Sequence, residues 1–355
     1  MILGLIGLPQ TGKKTIFELL VGIPAAKAPS RDSITRGMAP VRDQRIDRLS
    51  AMYNPKRTRY AEFELALPPP IQPDNARSAA WLDPIRRSEA LVHVLRAFES
   101  ESVFHIMDHI DPARDVETVE LEFLFADLAM CETRLERLKK EMRVKSSAQK
   151  EQEKAVIERC LQQLQEEKPL RSLEFDNEEI KLIRSLQFLT LKPVINVFNI
   201  GEDFQQDCAK YAELARSLRQ RGDQVVFLSA AIEQELQGLD EEERQDFMTE
   251  LGLHEPAAHR LSMSAYSCLG LISFFTCGPD EVRAWPVKQG SSAPEAAGKI
   301  HSDLQRGFIR AETITYEQLM QAGSEKAARE AKLYKLNGKD YIVQDGDIIE
   351  IRFNV

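Results

Sequence analysis

A short loop near the N-terminus carries the most explicit chemistry in the chain. Gly7-Leu8-Pro9-Gln10-Thr11-Gly12-Lys13 follows an apolar run (Ile2 to Leu8) and precedes a stretch of helical character from Ile16 to Leu20. Glycines at that spacing let the backbone curl until successive N–H groups point inward at an anion. A helix that begins there adds the positive end of its dipole, and the Lys13 ammonium would reach the outer phosphates of a nucleoside triphosphate. Gln10, Thr11, Gly12, Lys13, Lys14 and Thr15 are therefore the candidate phosphate contacts. One position departs from the pattern. A Ser or Thr hydroxyl normally follows the lysine and ligates Mg²⁺; here the residue is Lys14, and an ammonium repels a cation instead of holding one. Thr15 still offers a hydroxyl to the α-phosphate.

Strand, glycine loop and helix must be followed by further strands if this loop is to be held rigidly. Ala61 to Leu67, Ala90 to Ala97, Val194 to Asn199 and Val225 to Ser229 read as strands separated by helical stretches, which implies a mostly parallel α/β sheet. Between them, Leu121, Leu124, Leu128, Cys131, Leu135, Leu138 and Met142 alternate spacings of three and four, a coiled-coil seam. Lys145-Ser146-Ser147 ends it, and a second helical stretch from about Gln149 places Val156, Cys160, Leu161 and Leu164 on one face. An antiparallel helical hairpin inserted in the α/β domain is expected. From Gly270 onward short apolar or alternating strands, punctuated by Gly, Pro and Asp-Gly, read as a small β-rich domain.

The 355 residues suffice for two or three compact units, taking roughly 150 per domain. No apolar run reaches the roughly 20 residues needed to cross a bilayer. The apolar N-terminus lacks a basic flank and reads as a buried strand, not a signal peptide. Five cysteines without a CxxC pair are expected to be reduced thiols in a cytosol. His105 and His109 share helical spacing but have no third ligand nearby, so no metal site is assigned. The net charge of −9 opposes nonspecific nucleic-acid binding by the whole molecule. Residues 133–154 run against that balance, with eight Lys or Arg and four Glu, a local +4. At a projecting tip, Arg137, Lys139, Lys140, Arg143 and Lys145 could reach an RNA backbone; a solvated helical face is the competing reading.

Across nearly its whole length the chain resembles the Obg-like ATPases, the YchF group of translation-factor-related P-loop proteins. That family's loop reads GLPNVGKST, against GLPQTGKKT here. Val41 to Arg57 (VRDQRIDRLSAMYNPKR) and Asp111 to Thr118 (DPARDVET) match two further segments. So do GPDEVRAW from Gly278, APEAAGKIH from Ala293, GFIRAE from Gly307 and VQDGDIIEIRFNV from Val343. The resemblance implies a nucleotide domain over residues 1–118 and 190–269, a coiled-coil insertion over 119–189, and a ubiquitin-like (β-grasp) TGS domain over 270–355. It also implies a base-recognition element, NxxE, matched by Asn199-Ile200-Gly201-Glu202, with Ser229-Ala230 backing the base. Glutamate in place of the usual aspartate goes with adenine tolerance, so ATP or GTP is the implied ligand.

A second motif of the family is altered. Leu65 stands where a Mg-associated Asp belongs, and Pro68, which has no N–H to give, stands where a γ-phosphate-sensing Gly belongs. Both switch segments are short, with Thr35 as the candidate threonine of the first and residues 71–82 in place of the second. The expectation is a cytosolic purine-nucleotide-binding protein directed to ribosomes or rRNA, with weak or absent hydrolysis, no assigned catalytic base and no intact Mg²⁺ site. A nucleotide-free scaffold and an active Mg-dependent GTPase are the alternatives.

Overall fold

The computed structural model describes residues 2–22, 34–69, 82–100, 103, 105–253 and 255–354. The chain begins β1 (Ile2–Ile6), α1 (Lys13–Val21), β2 (Thr35–Val41), α2 (Gln44–Tyr53), β3 (Arg57–Arg59), β4 (Ala61–Leu67), α3 (Leu82–Arg86) and β5 (Ala90–Ala97). Two long helices follow, α4 (Pro112–Val144) and α5 (Ala148–Gln165), then α6 (Asn177–Ile183), β6 (Val194–Ile200), α7 (Phe204–Lys210), α8 (Ala212–Gln220) and β7 (Gln224–Leu228). Next come α9 (Ala230–Gly238), α10 (Glu241–Glu250), α11 (Ala257–Cys268), β8 (Leu271–Cys277), β9 (Glu281–Lys288), α12 (Ala293–Ile300) and α13 (Ser302–Arg306). The last elements are β10 (Phe308–Thr315), α14 (Tyr316–Ala322), α15 (Glu325–Glu330), β11 (Lys335–Asn337) and β12 (Asp347–Phe353). Two compact units result, residues 1–37 with 64–261, and residues 38–63 with 262–355.

The first unit is the mixed α/β body. Its sheet has the order β2-β4-β1-β5-β6-β7, and the pairings β1–β4, β1–β5, β5–β6 and β6–β7 are parallel. Every residue of β5 is buried, as expected of a central strand covered on both faces. The carboxyl ends of β1, β5, β6 and β7 therefore lie side by side, where a parallel sheet binds ligands.

The hairpin grows from this body. Asp111 caps α4 by accepting from the N–H groups of Ala113 (3.1 Å) and Arg114 (3.2 Å), and Pro112 sits at the first turn, where its missing donor costs nothing. Leu124, Cys131, Leu135 and Leu138 of α4 pack against Val156, Ile157, Cys160 and Leu164 of α5. Leu121 does not join them and is exposed. The reason is that the root of α4 must cover the sheet before it can face α5: Val119 and Phe123 turn toward Ile6, Leu8 and Leu91 instead. Asp127 lies inside the seam with no exposure. It accepts from the Thr190 N–H (2.8 Å), the Thr190 hydroxyl (2.9 Å) and Arg86 Nη1 (3.0 Å), which ties the hairpin to the chain returning to β6.

The second unit is a β-grasp. Its sheet runs β11-β10-β12-β8-β9-β3, with β12 and β8 parallel at the centre and α12 packed across one face. The unit takes in α2 and β3, from the segment assigned above to the nucleotide domain. β3 pairs with β9, and Arg45 of α2 binds Asp345 (2.8 Å) and Asp43 (2.8 Å) while stacking 5.3 Å from the Phe275 ring. Long-range pairing and a half-buried guanidinium, neither visible in local sequence, decide where these residues belong.

Removing the Asp127 carboxylate should uncover the consequences of a paired charge in a core. Asp127→Ala leaves Arg86 without its carboxylate, and we expect a loss of about 3–5 kcal/mol in urea unfolding. A loss below about 1 kcal/mol would show that the seam does not depend on this carboxylate.

Candidate functional site

The loop between β1 and α1 takes a shape that glycine makes possible. Gly7 has φ +143°, and a side chain there would meet the Val94 carbonyl oxygen at 2.5 Å; Gly12 has φ +91°. Between them, Gln10 adopts a left-handed conformation at φ +60°, and the Thr11 hydroxyl donates to the Leu8 carbonyl (3.2 Å). Lys13 opens α1 with its side chain folded back into the loop, donating to the Leu8 carbonyl and lying 3.4 Å from the Thr11 hydroxyl. Burial pushes its ammonium down to about 7.

Asn199, at the end of β6, ties three segments together. Its amide nitrogen donates to the Thr11 carbonyl (3.0 Å), and its amide oxygen accepts from the Ala230 N–H (3.0 Å). A Cβ on Gly12 would stand 2.3 Å from that nitrogen. Ser229 caps α9 by accepting from the Ile232 N–H, which fixes the turn after β7. The Gly201 N–H donates to Asp207 of α7 (2.8 Å) and holds the turn that carries Glu202.

A cavity of about 430 Å³ opens over these strand ends. Gly12, Thr15, Asn199, Ile200, Glu202, Ser229 and Ala230 line it. Gln10, Thr11, Lys13 and Lys14 are not among its walls. Thr11 and Lys13 are buried within the loop itself, and the Lys14 side chain is 53% exposed, 3.9 Å from Glu18. Phe98, Glu99, Gly201, Ala231 and Gln234 complete the lining; apart from Gly201, which lies inside the NxxE element, none of them was picked out from the sequence. One signal was available for Phe98 and Glu99, since they directly follow the central strand β5, at a carboxyl end of the parallel sheet.

The altered motif takes on a packing role. Leu65 in β4 pairs in register with Leu3 of β1 and has no exposure. Pro68, just beyond β4, is buried as well. With Lys14 at the hydroxyl position and Leu65 at the carboxylate position, the donor set does not fit Mg²⁺. Thr35 begins β2 and does not line the cavity, and residues 71–81 lie outside those described. His105 is fully used: Nδ1 accepts from the Met107 N–H (3.1 Å), so Nε2 carries the proton and donates to Asp115 (3.2 Å). It braces the start of α4.

A glycine loop before a helix, an asparagine bridging it to a Ser-Ala turn, and an open cavity at the ends of a parallel sheet define a P-loop nucleotide-binding architecture. Residues 271–354 match the YchF GTPase C-terminal family, described as a protein of unknown function (DUF933). Over 99% of its length, and 99% of theirs, the chain is 39% identical to the ribosome-binding ATPases YchF of Escherichia coli O157:H7 and Bacillus subtilis (strain 168). It is 33% identical to the Obg-like ATPase 1 of Oryza sativa subsp. japonica, covering 92% of that protein. The YchF GTPase of Schizosaccharomyces pombe superposes with a TM-score of 0.84 at 30% identity, covering 99% of this chain and 97% of that one. The chain belongs to the YchF/Obg-like ATPase family.

The buried Lys13 has a measurable signature. An unfolded lysine titrates near 10.5 and this one near 7, so between those values the unfolded chain binds the extra proton and stability rises with pH. The wild-type protein should therefore gain stability relative to Lys13→Met from pH 7 to 9, by at most roughly 1.4 kcal/mol per unit. Parallel pH profiles for the two proteins would show that Lys13 is not held neutral in the loop.

Proposed function

We propose that this protein binds a purine nucleoside triphosphate, with adenine accepted at least as well as guanine, and acts on the ribosome in the cytoplasm without a Mg²⁺-dependent switch. The observation that carries the reading is the Asn199 carboxamide, which joins the phosphate loop to the Ser229-Ala230 turn around one cavity. On this reading the backbone N–H groups of Gln10 to Lys14 and the Lys13 ammonium hold the phosphates, and Thr15 contributes its hydroxyl. Asn199, Ile200, Glu202, Ser229 and Ala230 frame the base. The longer Glu202 carboxylate does not place two acceptors where guanine's donors require them, which favours ATP over GTP. Lys13 and the loop amides can stabilise charge on the γ-phosphate, but neither an outer carboxylate nor the Pro68 N–H exists to organise a switch. Hydrolysis is accordingly slow.

Residues 119–189 serve as a coiled-coil arm and residues 270–355 as a TGS-like domain. The support for a ribosomal partner lies in the arm's charges and in the relatives from Escherichia coli O157:H7 and Bacillus subtilis, which are named ribosome-binding ATPases. Arg134 is neutralised by Glu153 (2.7 Å) and Glu141 (3.1 Å), Lys150 by Glu141 (3.6 Å) and Lys154 by Glu158 (3.3 Å). Arg137, Lys139, Lys140, Arg143 and Lys145 are exposed and make no ion pair among the described residues. The unpaired charge is therefore concentrated in five side chains near the end of the arm, the pattern that backbone phosphates attract.

Two experiments test the two halves of this proposal. Lys14 supplies one positive charge beside the position Mg²⁺ normally takes, so ATP affinity measured with EDTA and with excess Mg²⁺ should agree within about threefold. Lys14→Ser should weaken binding in EDTA and introduce a Mg²⁺ dependence. An absolute Mg²⁺ requirement in the wild-type protein, or a clear preference for GTP, would refute the nucleotide half. Absence of any nucleotide binding would leave a scaffold that works through the arm and the C-terminal unit.

For the arm, reversing Lys139, Lys140 and Arg143 to Glu should weaken sedimentation with ribosomes. It should also reduce the slope of log affinity against log salt by about two to three. If the variant sediments like the wild type at every salt concentration, the exposed charges merely solvate the helix.

A further inference from the structure

Among the described residues, Arg96 of β5 is the bulkiest of the fully buried side chains. A guanidinium inside a sheet carries a large desolvation cost unless its donors are satisfied, and an apolar residue would pack a central strand at less cost. Two of its donors reach the backbone that leaves β5. Nε donates to the Phe98 carbonyl (3.3 Å) and Nη2 to the Val103 carbonyl (2.7 Å), and the guanidinium lies 4.7 Å from the centre of the Phe98 ring. One side chain thus draws together two points of the chain five residues apart and lays a cationic plane against the ring between them.

The register places Arg96 directly beside Asn199, because β5 and β6 pair Arg96 with Asn199. The two polar side chains therefore sit at neighbouring strand ends with complementary tasks. Asn199 fixes the phosphate loop and the turn after β7. Arg96 fixes the segment after β5, and Phe98 and Glu99 of that segment form a wall of the cavity that neither the phosphate loop nor the Ser229-Ala230 turn supplies. A planar fork of donors suits this role better than an ammonium, whose single nitrogen on a flexible stem must reach both carbonyls from one point.

We infer that Arg96 is a positioning residue for the base-binding end of the cavity, setting affinity for the nucleoside part of a nucleotide and not for its phosphates. The inference rests on the nucleotide reading proposed above. It is tested by titrating wild type, Arg96→Met and Arg96→Lys with ATP and, separately, with inorganic tripolyphosphate, which lacks a base. We expect Arg96→Met to weaken ATP about tenfold, Arg96→Lys to recover only part of that loss, and tripolyphosphate affinity to stay within about twofold for all three. Backbone amide exchange at Glu99 and Ser100, measured without ligand, should quicken in both variants.

If ATP and tripolyphosphate weaken together, or neither weakens, the positioning role is wrong while the nucleotide reading stands. Unchanged exchange at Glu99 and Ser100 also overturns it. A wild-type protein that binds neither compound removes the nucleotide reading, and this inference falls with it. Should Arg96→Met fail to fold, Arg96→Lys retains the charge and carries the same comparison.

Discussion

The arrangement of the first unit depends on a single carboxamide that must donate on one side and accept on the other. Asn199 is 3% exposed, so both of its hydrogen bonds form where an unmade bond carries the full cost of desolvation. That requirement propagates outward. An aspartate would set an acceptor against the Thr11 carbonyl, and a residue with a Cβ at position 12 would displace the amide nitrogen. The Ala230 N–H must also face the strand, which obliges α9 to begin where the Ser229 hydroxyl can cap it. Loop shape, glycine placement and helix start are thus consequences of one bridging group.

The same strand anchors the hairpin. Asn196, three residues before Asn199 in β6, donates to Asp223 (3.1 Å), and Asp223 in turn receives Arg171 Nε (2.9 Å). Arg171 also binds Glu120 of α4 (2.7 Å), to which Arg221 donates as well. The flanking guanidinium groups hold the Glu120 carboxyl below its usual range, despite burial that acts the other way. Asp127 and Thr190 make a second fastening on the returning chain. A half-buried ionic cluster at Glu120 and a buried carboxylate at Asp127 give the arm a defined origin on the sheet. A displacement of the arm would therefore act on the strand that carries Asn199.

Much of this was legible in the sequence because the relevant signals are local. Loop glycines before a helix, β-strand composition in β4 to β7 and the three-four spacing of α4 all belong to contiguous residues. What stayed hidden depends on distant partners. Leu121 fits the heptad as well as Leu124, and only the competing demand of the sheet turns it outward. The Asp43-Arg45 pair belongs to a conspicuous charged stretch whose purpose appears only when Asp345 and Phe275 arrive 300 and 230 residues later. Phe98 and Glu99 carry no motif, and their place at the cavity follows from β5 lying between β1 and β6. Arg96 would pass for an exposed residue by type; its burial is set by the carbonyls folded back onto it.

The substitutions that depart from the family pattern are not equivalent in what they commit the protein to. Lys14 is half exposed and held only by a loose pair with Glu18 at 3.9 Å, an interaction worth little in water, so its side chain is free to reorient. Leu65 is different. It fills a position with no exposure, in register with Leu3 between two parallel strands, and a carboxylate there would be an uncompensated buried charge without a cation to pair it. Pro68 closes the remaining route, because no rearrangement of the backbone can supply an N–H that the residue lacks. A single change at position 14 could restore a hydroxyl, whereas the carboxylate and the amide would have to return together with a metal ion to stabilise them. The packing of β4 therefore makes the change at position 65 a property of the core, while the loop backbone and Asn199, on which the proposed nucleotide contacts rest, are left structurally independent of it.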